Sequence, residues 1–115
     1  MKSIFHQPVP ELPVRDVEVA QKFYRDKMGF AIAWADTASG MSGIFKDEAS
    51  FFLKQYASVA PIKLWIFVDN VDDTYTECKK AFITILEHIE TKPWGLRQFI
   101  MEDPDGNKII FHHDV

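Results

Sequence analysis

The sequence predicts an α+β protein in which one βαβββ unit is used twice. Three observations carry that prediction. The stretch Pro93 to Phe111 reads as two strands joined by a turn, with Asp105-Gly106 between the apolar runs Phe99 to Met101 and Ile109 to Phe111. Leu64 to Val71 is a β-rich run that passes into a helix, and Leu12 to Val17 makes the same passage near the start. Setting Val14 over Val68 and Val17 over Val71 gives an offset of 54 residues, and the elements that follow keep step to within a few positions.

In the first unit the strand Val9–Val14 opens the pattern. Pro8 and Pro10 bracket Val9 and hold the residues before them extended, which suits a stiff first strand or an edge strand. A helix over Val17–Met28 follows, with Asp16 placed where the helix dipole favours negative charge. Strands over Phe30–Trp34, Ser42–Phe45 and Ser50–Gln55 complete the unit. In the second unit the strand Lys63–Val68 leads into a helix over Val71–Ala81, with Asp72 in its first turn. Strands over Ile83–His88, Arg97–Glu102 and Lys108–His113 follow. Residue identity between the units is thin, so the order of elements carries the repeat.

A chain of 115 residues is about one domain, with units at about 4–56 and 62–115. A hydrophobic content of 47%, with ten Phe and three Trp, is ample for a packed core and argues against disorder. Residues Met1 to His6 lack the apolar run of a signal peptide and no segment has the length of a membrane span, so a cytoplasmic protein is expected. A net charge of −4 with scattered lysines and arginines argues against a nucleic-acid surface. Cys78 lies seven residues after Val71 and three after Tyr75, on the apolar stripe of the second helix. It is expected as a buried thiol and not a nucleophile.

No G-x-S-x-G, phosphate-binding glycine loop, C-x-x-C or H-E-x-x-H occurs. Glu87, Glu90, Glu102, Asp103 and Asp105 read as solvated ends and turn formers, with Asp105 serving the turn itself. No catalytic residue is assigned.

The residues that do stand out resemble a known family. Leu12-Pro-Val-Arg-Asp16, Phe23-Tyr24, Met28-Gly29-Phe30, Pro93-Trp94-Gly95 and Asp103-Pro-Asp-Gly-Asn107, laid on the doubled βαβββ pattern, resemble the glyoxalase/bleomycin-resistance group of the vicinal oxygen chelate superfamily. That resemblance implies eight strands curving into an open barrel around a cavity, helices on the outer face, and two chains pairing to complete it.

In the metal-dependent relatives the ligands are His, Glu or Gln on the first and last strands of each unit. The corresponding positions here are Val9, Lys63, Leu53 and Ile110. Valine, leucine and isoleucine donate nothing to a cation and an ammonium repels one, so neither metal nor cofactor is expected. Glu11 and His112 share faces with Val9 and Ile110 and could meet, but two donors do not make a selective site.

Strand alternation from those four positions places Val9, Glu11, Phe51, Leu53, Gln55, Lys63, Trp65, Phe67, Ile110 and His112 toward the cavity. Leu12, Val14, Phe52, Leu64, Ile66, Val68, Ile109 and Phe111 then face the helices, and Trp34 and Trp94 border the opening. A slip of one residue in any strand exchanges its lists. The start Pro10 to Asp16 is most similar to the metal-free bleomycin-resistance proteins. That likeness implies a homodimer sequestering an aromatic, drug-like small molecule at its interface, through Glu11, Trp34, Phe51, Leu53, Lys63, Trp65, Phe67, Trp94, Ile110 and His112. The aromatic side chains could instead fill the barrel as core or bury against the partner chain. An enzyme of the superfamily (lyase or dioxygenase-like), with a relocated or absent metal and Glu11 or His112 as acid or base, is the alternative.

Overall fold

The structure is a computed structural model that describes residues 2–115. Its elements follow the doubled order: β1 (Glu11–Val14), α1 (Val17–Met28), β2 (Ala31–Asp36), β3 (Met41–Lys46) and β4 (Ala49–Gln55), then β5 (Lys63–Phe67), α2 (Val71–Lys80), β6 (Thr84–Thr91), β7 (Leu96–Glu102) and β8 (Lys108–Asp114). The strands form two four-stranded sheets, β1-β4-β3-β2 and β5-β8-β7-β6, with no ladder between them among the described residues. The arrangement is thus a pair of open sheets and not a closed barrel. In each sheet the first strand runs parallel to the last and the remaining pairs are antiparallel.

Each helix covers one face of its sheet. In α1 the buried residues Val17, Ala20, Gln21, Tyr24 and Met28 recur at helical spacing and form a single stripe. Asp16 caps the start, its carboxylate accepting from the backbone N–H groups of Glu18 and Val19. Gly29 ends the helix with φ 76°, a left-handed conformation that costs glycine little. In α2 Asn70 caps by accepting from Asp73 N–H, and His113 Nδ1 on β8 accepts from Val71 N–H at 3.0 Å. Beyond α2 the left-handed position falls to Phe82, with φ 58° and a side chain 88% exposed. A bulky aromatic in that conformation is a strained terminator.

The core lies between helices and sheets. Leu12, Val14, Tyr24, Ile44, Phe51 and Leu53 belong to it from the first unit, and Val71, Phe99, Met101, Ile109 and Phe111 from the second. Tyr24 makes edge contacts with Phe30 and Phe51, at 5.7 and 6.2 Å between ring centroids. Cys78 is buried, as the apolar stripe of α2 predicts.

One buried polar clasp joins the units. The turn between β7 and β8 folds around Asp103, whose carboxylate accepts from the backbone N–H groups of Asp105 and Asn107, from Asn107 Nδ2 at 3.0 Å and from Tyr24 Oη at 2.7 Å. Asn107 also donates to the Pro13 carbonyl and accepts from Ile62 N–H. Asp105 accepts from the backbone N–H and the guanidinium of Arg15. The local task in the turn therefore belongs to Asp103, while Asp105 reaches across to the first unit. Asp103 and Asn107 are buried and fully partnered, which is what makes burying them tolerable.

Boundaries shift where capping and pairing decide them. β1 begins at Glu11, which leaves Val9 outside the strand, and β6 runs on to Thr91. Phe30 precedes β2 and turns into the core.

Candidate functional site

The face of each sheet turned away from its helix is uncovered, and the expected site residues divide between that face and the core. In the second sheet Trp65 is registered beside Ile110 and Phe67 beside His112. The His112 ring lies 5.7 Å from both Trp65 and Phe67 in edge-to-face geometry, which fixes all three on the open face. Lys63 shares their side by alternation. Trp65 is 52% and Phe67 57% exposed, whereas Ile110, between Trp65 and Ile100 in the register, is buried. His112 Nδ1 is buried and has no hydrogen-bond partner among the described residues.

The first sheet corrects one strand. Phe51 and Leu53 do not face the open side. Leu53 is registered beside Leu12, Phe51 packs on Tyr24 and Phe30, and both are core residues. Gln55 shares their parity and accepts from Val17 N–H at the start of α1. Phe52, expected against the helix, lies on the open face beside Glu11, with its ring 5.6 Å from Trp34. The cause is the apolar run Phe51-Phe52-Leu53: the aromatic cluster around Tyr24 selects its parity, which alternation alone cannot. The β4 position matching Ile110 is accordingly Phe52, because Leu12 pairs Leu53 as Ile66, 54 residues on from Leu12, pairs Phe111.

Trp34 stands on β2 opposite Gly43, and a methyl group at Gly43 would overlap its indole, so the glycine is the seat on which the ring lies. Glu11 accepts from Tyr56 Oη at 3.0 Å, a bond that pushes the phenol above its usual range. At the far side of the second sheet Trp94, 62% exposed in the loop between β6 and β7, donates through Nε1 to the buried Gln98. Lys92 lies 5.7 Å from the Trp94 ring centroid and pairs with Glu87 and Glu90. Donating hydrogen bonds to Glu87 and Glu90 holds its ammonium above the ordinary lysine range.

Sequence reasoning sets Phe52 on the opposite face, does not reach Gln98 and Ile100, and reads Glu87 and Glu90 as solvated ends. The hairpin held the missing signal, since β7 is registered so that Gln98 opposes His112 and Ile100 opposes Ile110.

The donor chemistry does not suit a transition metal. The four positions that correspond to the metal ligands carry Val9, Phe52, Lys63 and Ile110, none of which supplies an imidazole or carboxylate. Among the described residues no group of three or more His, Cys, Asp and Glu side chains converges as a metal site would require. Nor, among them, is any helix long and apolar enough to cross a membrane.

Comparison with known proteins places this geometry. The profile of the Glyoxalase/Bleomycin resistance protein/Dioxygenase superfamily matches residues 5–111. A bleomycin-binding protein in complex with bleomycin is similar at TM-score 0.84 and 22% identity, over 96% of this chain and 100% of that one. A bleomycin resistance determinant encoded on transposon Tn5 is similar at TM-score 0.85 and 22% identity, over 96% and 98%. A lactoylglutathione lyase from Agrobacterium tumefaciens is similar at TM-score 0.77 and 18% identity, over 92% of each chain. No curated protein sequence matches. Identities this low speak for the fold, which binding proteins and enzymes share.

Proposed function

The chain belongs to the Glyoxalase/Bleomycin resistance protein/Dioxygenase superfamily, and from that membership we propose that it is a metal-free binding protein holding an aromatic, drug-like molecule between the open sheet faces of two copies. The observation that carries this reading is the uncovered aromatic surface: Trp34, Phe52, Trp65, Phe67 and Trp94 all lie on or beside the two open faces.

Surface scaling supports a partner. A monomer of 13.3 kDa is expected to expose about 6,450 Å², whereas this chain exposes 7262 Å². Its radius of gyration is 14.9 Å against about 13.3 Å for a compact chain of this length. The excess surface, to which residues 2–10 also contribute, is comparable to the roughly 800 Å² that one partner gives to a standard interface. Aromatic faces of this kind stack on flat ligands, with Glu11, Lys63, His112 and Gln98 as the polar groups that set orientation. Sequestration needs no reaction, so an aromatic wall without metal donors suffices. One similar structure holds bleomycin, and a molecule of that drug-like kind is the ligand class we assign.

The test is a thermal-shift screen of aromatic drug-like molecules, bleomycin included, followed by recovery of the ligand. A ligand at a hundred times its dissociation constant adds about 2.7 kcal/mol, a rise of about 10 °C for a chain of this size. It should be recovered unchanged, and Trp65→Ala should abolish the shift. A ligand converted to product moves the protein to the enzymes of the superfamily. Stoichiometric zinc, nickel or iron held by protein donors would overturn the metal-free reading.

A further inference from the structure

The two units are equivalent in fold, yet only one of their two junctions is closed. At the first, the corner between β1 and α1 is sealed by the turn between β7 and β8, through Tyr24–Asp103, Asn107–Pro13 and Arg15–Asp105. The second junction should be the corner between β5 and α2 sealed by the turn between β3 and β4. Carrying the repeat forward by 54 residues puts Cys78 where the first unit has Tyr24, and Asp69 where it has Arg15. The sealing turn shrinks from five residues, Asp103 to Asn107, to two, Asp47 and Glu48.

The result is a groove of about 920 Å³ between the β3–β4 hairpin and the β5–α2 corner, at the upper end of the size range of small-molecule sites. Its apolar lining includes Phe30, Ile66, Val68 and Phe111. Its charged lining is acidic in balance, because Asp47, Glu48, Asp69 and Glu77 outnumber Lys27 and Lys46, and the Lys46 ammonium already donates to the Met28 carbonyl. Where the closed junction sets the Arg15 guanidinium against Asp105, the open one has Asp69 at the Arg15 position and the carboxylates of Asp47 and Glu48 on the hairpin. What is missing is therefore an aromatic ring, the counterpart of Tyr24, together with a cation, the counterpart of Arg15.

We propose that this groove, which meets the open face of the second sheet at Phe67, is a second binding site for a small planar aromatic cation of the amidinium or guanidinium class. The ring takes the space left by the tyrosine and packs on the apolar floor. The cation answers Asp69 and the hairpin carboxylates, with charge complementarity in a partly enclosed groove giving selectivity over a neutral molecule of the same shape.

Benzamidine is the probe, with benzamide as its neutral counterpart of nearly the same shape, and the readout is amide chemical-shift titration of the full chain. The expected result is saturable shifts at Lys46–Ala49 and Val68–Cys78 with benzamidine, at least tenfold weaker with benzamide. Asp69→Arg supplies the absent cation from the chain itself, at an exposed position. It should abolish benzamidine binding while leaving the titration of the open faces unchanged, which separates this site from the one proposed above. Cys78→Tyr should do the same by filling the space, and Asp69→Arg decides the matter where that variant does not fold. Equal binding of benzamide, shifts confined to the open faces, or undiminished binding in Asp69→Arg each overturns the proposal. So do groove signals that respond to protein concentration and not to benzamidine, which would show a second copy seated there.

Discussion

Tyr24→Phe removes one oxygen atom and tests the clasp between the units. The Tyr24 hydroxyl is completely buried and donates at 2.7 Å to Asp103, itself 3% exposed. Hydrogen bonds to charged groups are worth about 1.5–3 kcal/mol, and the lost donor is not replaced by water in a site this closed, so a loss of about 2 kcal/mol is expected. With an unfolding entropy of about 2.1 cal/mol/K per residue, that lowers Tm by roughly 8 °C. The sign of the pH dependence follows from the phenol. Burial, and next the charge of Asp103, hold Tyr24 well above the usual tyrosine range, so its contribution is complete below the unfolded value of about 10 and is lost as pH rises past it. Urea unfolding of the wild type and the variant at pH 7 and pH 9 should therefore give the same difference, with unchanged m. A difference below about 0.5 kcal/mol, within the range of ordinary surface substitutions, would refute the claim that this hydroxyl ties α1 to the β7–β8 turn.

Three further outcomes are expected. Phe82→Gly relieves a left-handed aromatic that is 88% exposed, and should raise stability by about 1 kcal/mol; a fall in Tm would show that the exposed ring has a packing partner. Gly43→Ala places a methyl group against the Trp34 indole, costing about 1–3 kcal/mol, and should shift tryptophan fluorescence as the ring leaves its seat. Burial of Cys78, and to a lesser degree the charge of Glu77, pushes its thiol up to about 11. Its alkylation by iodoacetamide at pH 8 should then run at least on the order of a hundredfold slower than that of free cysteine, and a rate within tenfold of free cysteine would contradict the burial.

The passages that fixed the fold in advance were those where local chemistry and pattern agree. Asp16 and Gly29 bracket α1 with a cap at each end, so its range is legible to the residue, and the repeat spaced by 54 residues anticipates both sheets. β1, β5 and β8 were readable in parity because Val14, Val68 and the Asp105-Gly106 turn anchor them. β4 was not: Phe51-Phe52-Leu53 offers an apolar residue to either face, and only Tyr24 and Phe30, distant in sequence, settle which ring turns inward. Alternation alone therefore puts Phe51 and Leu53 on the open face and Phe52 against the helix, the reverse of the parity that the aromatic cluster selects. The Lys92–Glu87–Glu90 cluster was hidden by irregular pairing along β6, whose register shifts between Ile85 and Glu87 and again before Glu90. The groove could not be anticipated at all, since an unfilled junction is visible only beside its filled twin.

The turn that holds Tyr24 comes from residues near the end of the chain, and Asn107 donates to a carbonyl 94 positions earlier. A ribosome delivers α1 long before it delivers the carboxylate that its tyrosine needs. The first unit must therefore wait, its phenol and the Pro13 carbonyl unmatched, until the β7–β8 hairpin has been made. Truncation ahead of Asn107 should therefore unsettle the β1–α1 corner as well as the β7–β8 hairpin.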